Sequence, residues 1–202
     1  MTVSNVVTTR DRIVDEAMRL FSEHGYASTS VAKIEAAAGL SAGAGGLYHH
    51  FKSKEAVLAA GIERQLARLD ALRDIRRLLT PLGDLKAELT LIARYILAEL
   101  DSESELLRIL VSEARNRPEL LTAAVDQLVN SSLEGFAGWM EERSERCSAG
   151  ASPATLAALG LGSLLSNRLL RDVIGVPSAI DDGELVGAWV QLMLGVLGRA
   201  GS

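Results

Sequence analysis

The sequence has 202 residues, of which 48% are hydrophobic and 23% charged, so the chain can fold around a sizeable core and is too apolar for a disordered protein. Its single cysteine excludes an internal disulfide and is compatible with a reducing cytoplasm. The most apolar stretches, 154–166 and 185–198, are shorter than the roughly 20 residues of a membrane span. We therefore expect a soluble cytoplasmic protein without a membrane partner. The net charge of −5 counts only weakly against nucleic-acid binding, because residues 1–54 hold six Lys/Arg, five Asp/Glu and all three His, while the remainder carries −6.

Helix is the structure predicted along the whole chain. Only four prolines occur, aromatic residues make up 4%, and no run of residues alternates with the period of two that is typical of strands. These features predict the all-α fold class, with a small N-terminal domain over residues 8–53 and a larger helical domain over residues 54–202.

Two short helices are predicted at the start of the N-terminal domain. Thr8 and Asp11 have the spacing of a capping box at the start of the first helix, and Gly25 is typical of a helix end. Residues 28–30, Ser-Thr-Ser, offer N-caps for a second helix, which Gly39 ends after two turns.

A third helix is predicted from Ser41, as its N-cap, to about His50. Three short helices with a tight glycine turn between the second and the third are typical of a helix-turn-helix, here at about residues 30–50. A longer fourth helix begins at residues 53–55, and beyond Thr80-Pro81 the apolar spacing predicts helices at about 84–101, 104–116, 118–146, 153–174 and 182–198.

The N-terminal domain resembles the DNA-binding domain of the TetR/AcrR family of transcriptional regulators. The resemblance rests on motifs that arrive in the order typical of the family: Phe21, Gly25-Tyr26-Ala27-Ser28-Thr29-Ser30-Val31, Ile34, Ala38-Gly39-Leu40-Ser41 and Leu47-Tyr48-His49-His50-Phe51-Lys52-Ser53-Lys54-Glu55. It implies a ligand-responsive regulator, most often a repressor, that is not an enzyme and needs no cofactor. Its partners would be a palindromic operator in double-stranded DNA, a small organic effector and a second copy of the chain.

The resemblance also implies which residues contact DNA. The helix ends at Thr29, Ser30 and Ser41 are expected to meet phosphates through free backbone N–H groups and the helix dipole. Side-chain contacts to phosphates or bases are expected from Lys33, Tyr48, His49 and Lys54. The predicted third helix carries no Arg, Asn or Gln for bidentate readout of base edges. Close apolar approach to thymine methyl groups is therefore expected from Ala42, Gly43 and Ala44.

The glycine-rich insert, residues 42–46, departs from the family pattern. Ser41 and Tyr48 are seven residues apart, two more than is usual in the family, and the extra length lies in this insert. Interior glycines cost a helix about 0.5–1 kcal/mol each, so the start of the third helix is expected to be weak until DNA orders it. For Gly45 and Gly46 themselves we expect helical dihedral angles.

The larger domain carries the expected effector and dimer contacts. By resemblance the effector pocket lies among the helices of about 84–146, with Tyr95, Asn116, Phe136 and Trp139 as candidate lining, although Phe136 and Trp139 fit a hydrophobic core as well. The last two predicted helices are apolar on more than one face, which favours burial against a second copy over a monomer core. The expected interface residues are Leu161, Leu164, Leu165, Arg168, Trp189, Leu192, Met193 and Val196.

Other functions are compatible with parts of the sequence. A small-molecule binding protein or an enzyme could keep an inert helical head, and a helical adaptor could bind a partner protein without any operator. Salt-dependent binding to a palindrome would separate a regulator from these alternatives. The pair His49-His50 is not expected to bind a metal, because adjacent side chains diverge on a helix and no Cys or carboxylate completes a set.

Overall fold

The computed structural model describes residues 8–78, 83–142 and 151–197, and these are helices joined by turns, as the all-α prediction requires. The α-helices are α1 (Thr9–His24), α2 (Val31–Ala37), α3 (Lys54–Leu78), α4 (Leu85–Ser102), α5 (Ser104–Glu113), α6 (Pro118–Val125), α7 (Ser131–Glu141), α8 (Pro153–Arg168) and α9 (Asp182–Leu197). A short 3-10 turn spans Gly46–His49, and π-helical segments span Asp126–Asn130 and Leu169–Ile174.

The described residues form two compact units. The head unit extends to Arg68 and includes Glu105–Ala124, while the body unit comprises Leu69–Ser104 and the described residues from Val125 onward. This grouping differs from the predicted division at residue 54, because the first part of α3, α5 and most of α6 pack with the N-terminal helices. No helix in the described ranges is both long enough and apolar enough to cross a membrane.

Local signals set the bounds of α1. The Thr8 hydroxyl accepts a hydrogen bond from the Asp11 backbone N–H at 3.1 Å, and the Asp11 carboxylate accepts from the Thr8 N–H at 3.2 Å, which completes the predicted capping box. Gly25 ends the helix with a φ of +80°, a conformation that side chains with a Cβ rarely adopt. The helix buries Ile13, Ala17 and Phe21 at successive turns in the head core.

The body unit has its own hydrophobic core, built from α4, α7, α8 and α9. Trp189 is 3% exposed and its indole N–H donates to the Gly160 carbonyl oxygen at 2.8 Å. A Cβ placed on Gly160 would lie 3.2 Å from the Met193 sulfur and 3.4 Å from the Phe136 ring, so this glycine lets α9 and α7 approach α8 closely. Phe136 also stacks on Trp139 with 5.6 Å between ring centroids.

The structure corrects five of the predicted interface residues. Leu161, Leu164, Trp189 and Met193 belong to the core of their own subunit, and Arg168 is also buried there, 1% exposed. They therefore have almost no surface to offer a second copy. Leu165 and Val196 are half-buried, and of the predicted set only Leu192 is well exposed, at 60%. When a helix is apolar on two faces, the sequence does not indicate which of them packs within the chain.

Arg168 is the centre of an ion-pair cluster in the body unit. Its guanidinium donates to the Asp101 carboxylate at 2.7 Å and to the Asp182 carboxylate at 2.8 Å. Arg171 shares Asp101, at 2.6 Å, and also pairs with Asp172. The cluster ties α8 and the π-helical segment after it to the end of α4 and the start of α9.

The helices after α3 begin and end within three residues of the predicted positions, apart from two larger differences. The predicted helix over 118–146 is interrupted by the π-helical segment Asp126–Asn130 and is observed as far as Glu141, and residues 143–146 lie outside the described residues. The predicted helix over 153–174 changes to π-helical geometry at Leu169. Neither change carries a sequence signature, because the backbone hydrogen bond shifts by only one residue.

Candidate nucleic-acid interface

The second helix of the predicted helix-turn-helix forms as the sequence suggests. Ser30 is its N-cap, and the Ser30 hydroxyl accepts from the Lys33 backbone N–H at 3.3 Å. The helix buries Ile34 and ends at Ala37, and Gly39 reverses the chain with a φ of +72°. The tight glycine turn after α2 is therefore confirmed.

The predicted third helix from Ser41 to His50 is wrong. Ser41 caps no helix, and its carbonyl oxygen instead accepts from the Ala44 N–H at 3.1 Å in a turn. Gly43 and Gly45 have φ values of +75° and +79°, so the insert bends through left-handed positions and leaves only the 3-10 turn Gly46–His49 as helical structure. The expectation of helical angles at Gly45 is corrected for the same reason.

Replacement of Gly45 by Ala is expected to lower the free energy of unfolding by about 1–2 kcal/mol, the cost of a left-handed residue with a Cβ. The matched control is Gly138→Ala in α7, where the added Cβ meets no atom within 4 Å. That variant should gain about 0.5–1 kcal/mol from reduced chain entropy. Denaturant unfolding of both variants measures the difference, and stabilisation by Gly45→Ala would contradict the turn geometry.

The insert and the turn after it carry most of their predicted contact residues at exposed positions. Leu47 is 0% exposed and Phe51 6% exposed, so these two side chains anchor the segment in the head core. The predicted contact residues that precede Leu47, and those that lie between Leu47 and Phe51, are all exposed, with Tyr48 at 57%. They are Ser41, Ala42, Gly43, Ala44, Tyr48 and His49. Six of the predicted DNA-contact residues, all within nine positions of the chain, are therefore accessible.

Thr29 lies inside the head and not on this surface. It is 0% exposed, and its hydroxyl donates to the carbonyl oxygens of Gly25 and Leu20 at 2.9 and 3.2 Å. The hydroxyl proton is therefore used within the protein, and the Thr29 backbone N–H donates to the Tyr26 carbonyl oxygen at 3.3 Å. The predicted phosphate contact of Thr29 is therefore corrected to a structural role. Ser30 and Lys33 are exposed, as their predicted roles require.

Lys54 has a structural role that its sequence position did not reveal. Its ammonium group donates to the carbonyl oxygens of Tyr26 and Thr29, both at 2.8 Å, and lies 4.0 Å from the centroid of the Tyr26 ring. Partial burial, followed by repulsion from Arg117, lowers the pKa of the ammonium group. Since an ammonium group has three donors, one N–H remains after these two bonds.

Arg117, just before α6, is a member of this cluster that the sequence analysis missed. Its guanidinium lies 4.0 Å from the centroid of the Tyr26 ring and pairs with the Glu55 carboxylate at 2.6 Å. Burial raises the pKa of the Tyr26 phenol, which stays neutral beside the two cations. The partners are separated by 62 positions or more in the sequence, so no local pattern could have shown the contact.

Glu35 is the second residue that the sequence analysis missed. It occupies a fully buried position of α2, and its carboxylate accepts from the backbone N–H groups of Gly43, at 2.7 Å, and Leu47, at 3.0 Å. A glutamate within an Ala-rich helix could have drawn attention as a charge on an otherwise apolar segment, but its partners depend on the path of the insert.

The candidate effector residues are divided between the two units. Asn116 is exposed and belongs to the head unit, whereas Tyr95, Phe136 and Trp139 belong to the body unit. Phe136 is 4% exposed and is a core residue, which favours the core alternative for this side chain. Tyr95 and Trp139 are half-buried and keep some surface for a ligand.

Comparison with known proteins relates the head to one family. The family model described as "Bacterial regulatory proteins, tetR family" matches residues 13–60, which covers α1, α2, the insert and the start of α3. The transcriptional repressor AcnR of Corynebacterium efficiens is 43% identical over 67 residues, which are 33% of this chain and 32% of AcnR. The chain thus spans about a third of the length of such curated relatives.

Solved structures extend the similarity to the whole chain. A TetR-family transcriptional regulator from Mesorhizobium loti superposes with a TM-score of 0.72 at 23% identity, over 93% of this chain and 96% of that one. The regulator FrrA, described as flavonoid-responsive, superposes with a TM-score of 0.59 at 26% identity, over 93% and 95% of the two chains. The body unit therefore has the fold of such regulators as well.

Proposed function

We propose that this chain is a homodimeric cytoplasmic repressor of the TetR family, which binds a palindromic operator and is released from it by a small organic effector. One observation carries the proposal. The exposed residues Tyr48, His49 and Ala42–Ala44 follow α2 on a segment anchored by two buried side chains, Leu47 and Phe51. A rigidly anchored, exposed segment after the second helix is what major-groove readout requires.

The chemistry of this surface suggests how the two kinds of DNA contact divide. Lys33 and the free N–H of Lys54 supply positive charge for phosphates, and the Ser30 hydroxyl can donate to the same backbone. The methyl groups of Ala42 and Ala44 suit contact with thymine, and the Tyr48 phenol can bond to a base edge or a phosphate.

The proposed dimer interface is the outer face of α8 and α9. Leu159 is 69% exposed and Leu192 60% exposed, although both are large apolar side chains. Around them lie Gly162, Gly187 and Gly195, where an added Cβ would meet nothing within 4 Å. Exposed leucines are unfavourable in water, and the glycines beside them allow close approach of another backbone. Both features favour packing against the same helices of a second copy.

The proposed effector is a small organic molecule held by the body unit. The similarity to a regulator whose name states that it responds to flavonoids supports this ligand class. Tyr95 and Trp139 are the aromatic side chains of the predicted set that are only half-buried, so part of each is exposed. A ligand needs only to bind one of two conformations more tightly in order to shift the population away from the DNA-binding state.

The proposed function is tested by selecting binding sites from random double-stranded DNA with the full chain. We expect a palindromic sequence, two subunits per site, and a dissociation constant that rises steeply with salt because phosphate contacts release counterions. A small-molecule binding protein, an enzyme with an inert head or a protein adaptor would enrich no sequence. Absence of an enriched, salt-sensitive site would refute the proposal.

Replacement of Lys54 by Ala should reduce the slope of log affinity against log salt by about one, because one fewer phosphate is neutralised. The variant should also melt at a lower temperature, because the Tyr26 and Thr29 carbonyl oxygens lose their donor. The control is Lys86→Ala, which removes an exposed lysine at the start of α4 in the body unit. A Lys54→Ala variant with the parent's salt slope would limit Lys54 to its structural role.

A further inference from the structure

Glu35 lies directly behind the exposed segment without reaching the surface itself. One carboxylate oxygen accepts from the Gly43 N–H at 2.7 Å and the other from the Leu47 N–H at 3.0 Å. The Glu35 carbonyl oxygen accepts from the Leu40 N–H at 2.8 Å. One residue therefore holds the chain at three points: where it leaves α2, in the middle of the insert, and within the 3-10 turn.

A carboxylate at this position requires a specific explanation. A buried charge is unfavourable unless hydrogen bonds compensate for lost water, and the ion pairs found among the described residues do not include Glu35. The two backbone N–H groups provide the compensation, since bonds from N–H groups to a carboxylate are among the stronger hydrogen bonds in proteins. The glutamate and the path of the insert are thus matched to each other.

The contact determines how the exposed side chains are presented. The 3-10 turn has only four residues, and apart from the bond between its Leu47 N–H and Glu35 it relies on short-range bonds such as Tyr48 N–H to Gly45 O, at 3.0 Å. Leu47, which Glu35 holds, is fully buried, and the next residue is Tyr48, which is 57% exposed. A rotation of Leu47 about the turn would move Tyr48 and His49 with it.

We propose that Glu35 is a positioning residue for DNA sequence readout, which sets the orientation of the insert and of Tyr48 without contacting DNA. This inference rests on the proposed function and adds a determinant of specificity to it. Loss of the carboxylate should affect sequence-specific binding far more than non-specific binding, because charge and not orientation dominates non-specific affinity.

The variant Glu35→Gln tests the proposal. Its amide oxygen can serve one backbone N–H, while its NH2 group faces the other and cannot accept from it. We expect affinity for the selected operator to fall about tenfold or more, the size of a lost base contact, while affinity for a scrambled duplex of equal length changes less than about threefold. The control Glu23→Gln removes the same charge from an exposed site on α1, paired with Arg19, and should leave the ratio of the two affinities unchanged.

The outcomes separate this inference from the proposed function. If the parent protein enriches no operator, the proposed function fails. If the parent binds an operator and Glu35→Gln keeps the parent's affinity ratio, or loses both affinities equally, Glu35 is not a positioning residue. Measurement of the folded fraction by circular dichroism at the assay temperature ensures that the two affinities refer to folded protein.

Hydrogen exchange of the parent chain gives a test that does not depend on the folding of a variant. The amide protons of Gly43 and Leu47 are expected to exchange more slowly than that of exposed Ala42, because the buried carboxylate accepts from both. Should Glu35→Gln fail to fold, Glu35→Asp, which keeps the charge on a shorter side chain, is expected to show the same loss of the affinity ratio. Gly43 and Leu47 amides that exchange as fast as Ala42 would overturn the inference.

Discussion

Simultaneous replacement of Leu159 and Leu192 by glutamate is expected to convert the proposed dimer into a folded monomer, which no longer binds the selected operator at concentrations that saturate the parent. Both side chains are exposed on their own subunit, at 69% and 60%, so the charges should not disturb the subunit's fold. In the dimer they would be buried without partners. A monomer reaches one half-site instead of two that lie about 34 Å apart, and loss of the second contact should weaken binding by about 10²–10⁴-fold.

Sizing chromatography measures the oligomeric state of the variant, and an operator shift assay measures its DNA binding. Two control variants are compared with it. Leu91→Glu places the same charge at an exposed leucine of α4, outside the proposed interface, and should leave assembly and binding intact. Leu164→Glu places it in the subunit core, where the side chain is 0% exposed, and should unfold the body unit. A doubly substituted protein that remains dimeric and binds normally would show that the interface lies elsewhere.

Replacement of Asp101 and Asp182 by asparagine should destabilise the body unit by about 3–5 kcal/mol, the cost of leaving a buried charge without its partner. The Arg168 side chain is 1% exposed, and its guanidinium donates to the Asp101 carboxylate at 2.7 Å and to the Asp182 carboxylate at 2.8 Å. For a chain of this size that change corresponds to a melting temperature lower by about 10 °C. The effect comes from the buried arginine, because the two aspartates themselves are substantially exposed.

Thermal unfolding against pH distinguishes this ion pair from a general effect of charge. The hydrogen bond from Arg168 lowers the pKa of Asp182 below its ordinary value of 3.8. The contribution of Asp182 to stability is therefore complete well above pH 3.8 and is lost as the pH falls through the folded-state pKa, so the deficit of the variant should shrink in acid. Glu119→Gln with Glu184→Gln, at two exposed positions, is the charge-matched control. Equal melting of the aspartate variant and this control would contradict the assignment.

Patterns within a few residues were sufficient to predict most helices and the start of the DNA-binding surface. The capping box at Thr8, the glycine at position 25 and the N-cap at Ser30 act through hydrogen bonds within one helical turn, so the residues themselves specify them. The accessibility of Tyr48 agrees with the DNA contact that the family motif implies for it.

The path of the insert, the roles of Thr29 and Lys54, and the outer face of the last two helices depend on contacts between distant parts of the chain. The spacing of glycines cannot distinguish a weak helix from a turn. Here the Glu35 carboxylate of α2 accepts hydrogen bonds from the Gly43 and Leu47 N–H groups, which stabilises the turn. Likewise, α8 and α9 are apolar on two faces, so the spacing of apolar residues does not indicate which face packs within the subunit. Packing against α4 and α7 buries Leu164 and Met193 and leaves Leu159 and Leu192 exposed, because only one face of each helix contributes to the subunit core.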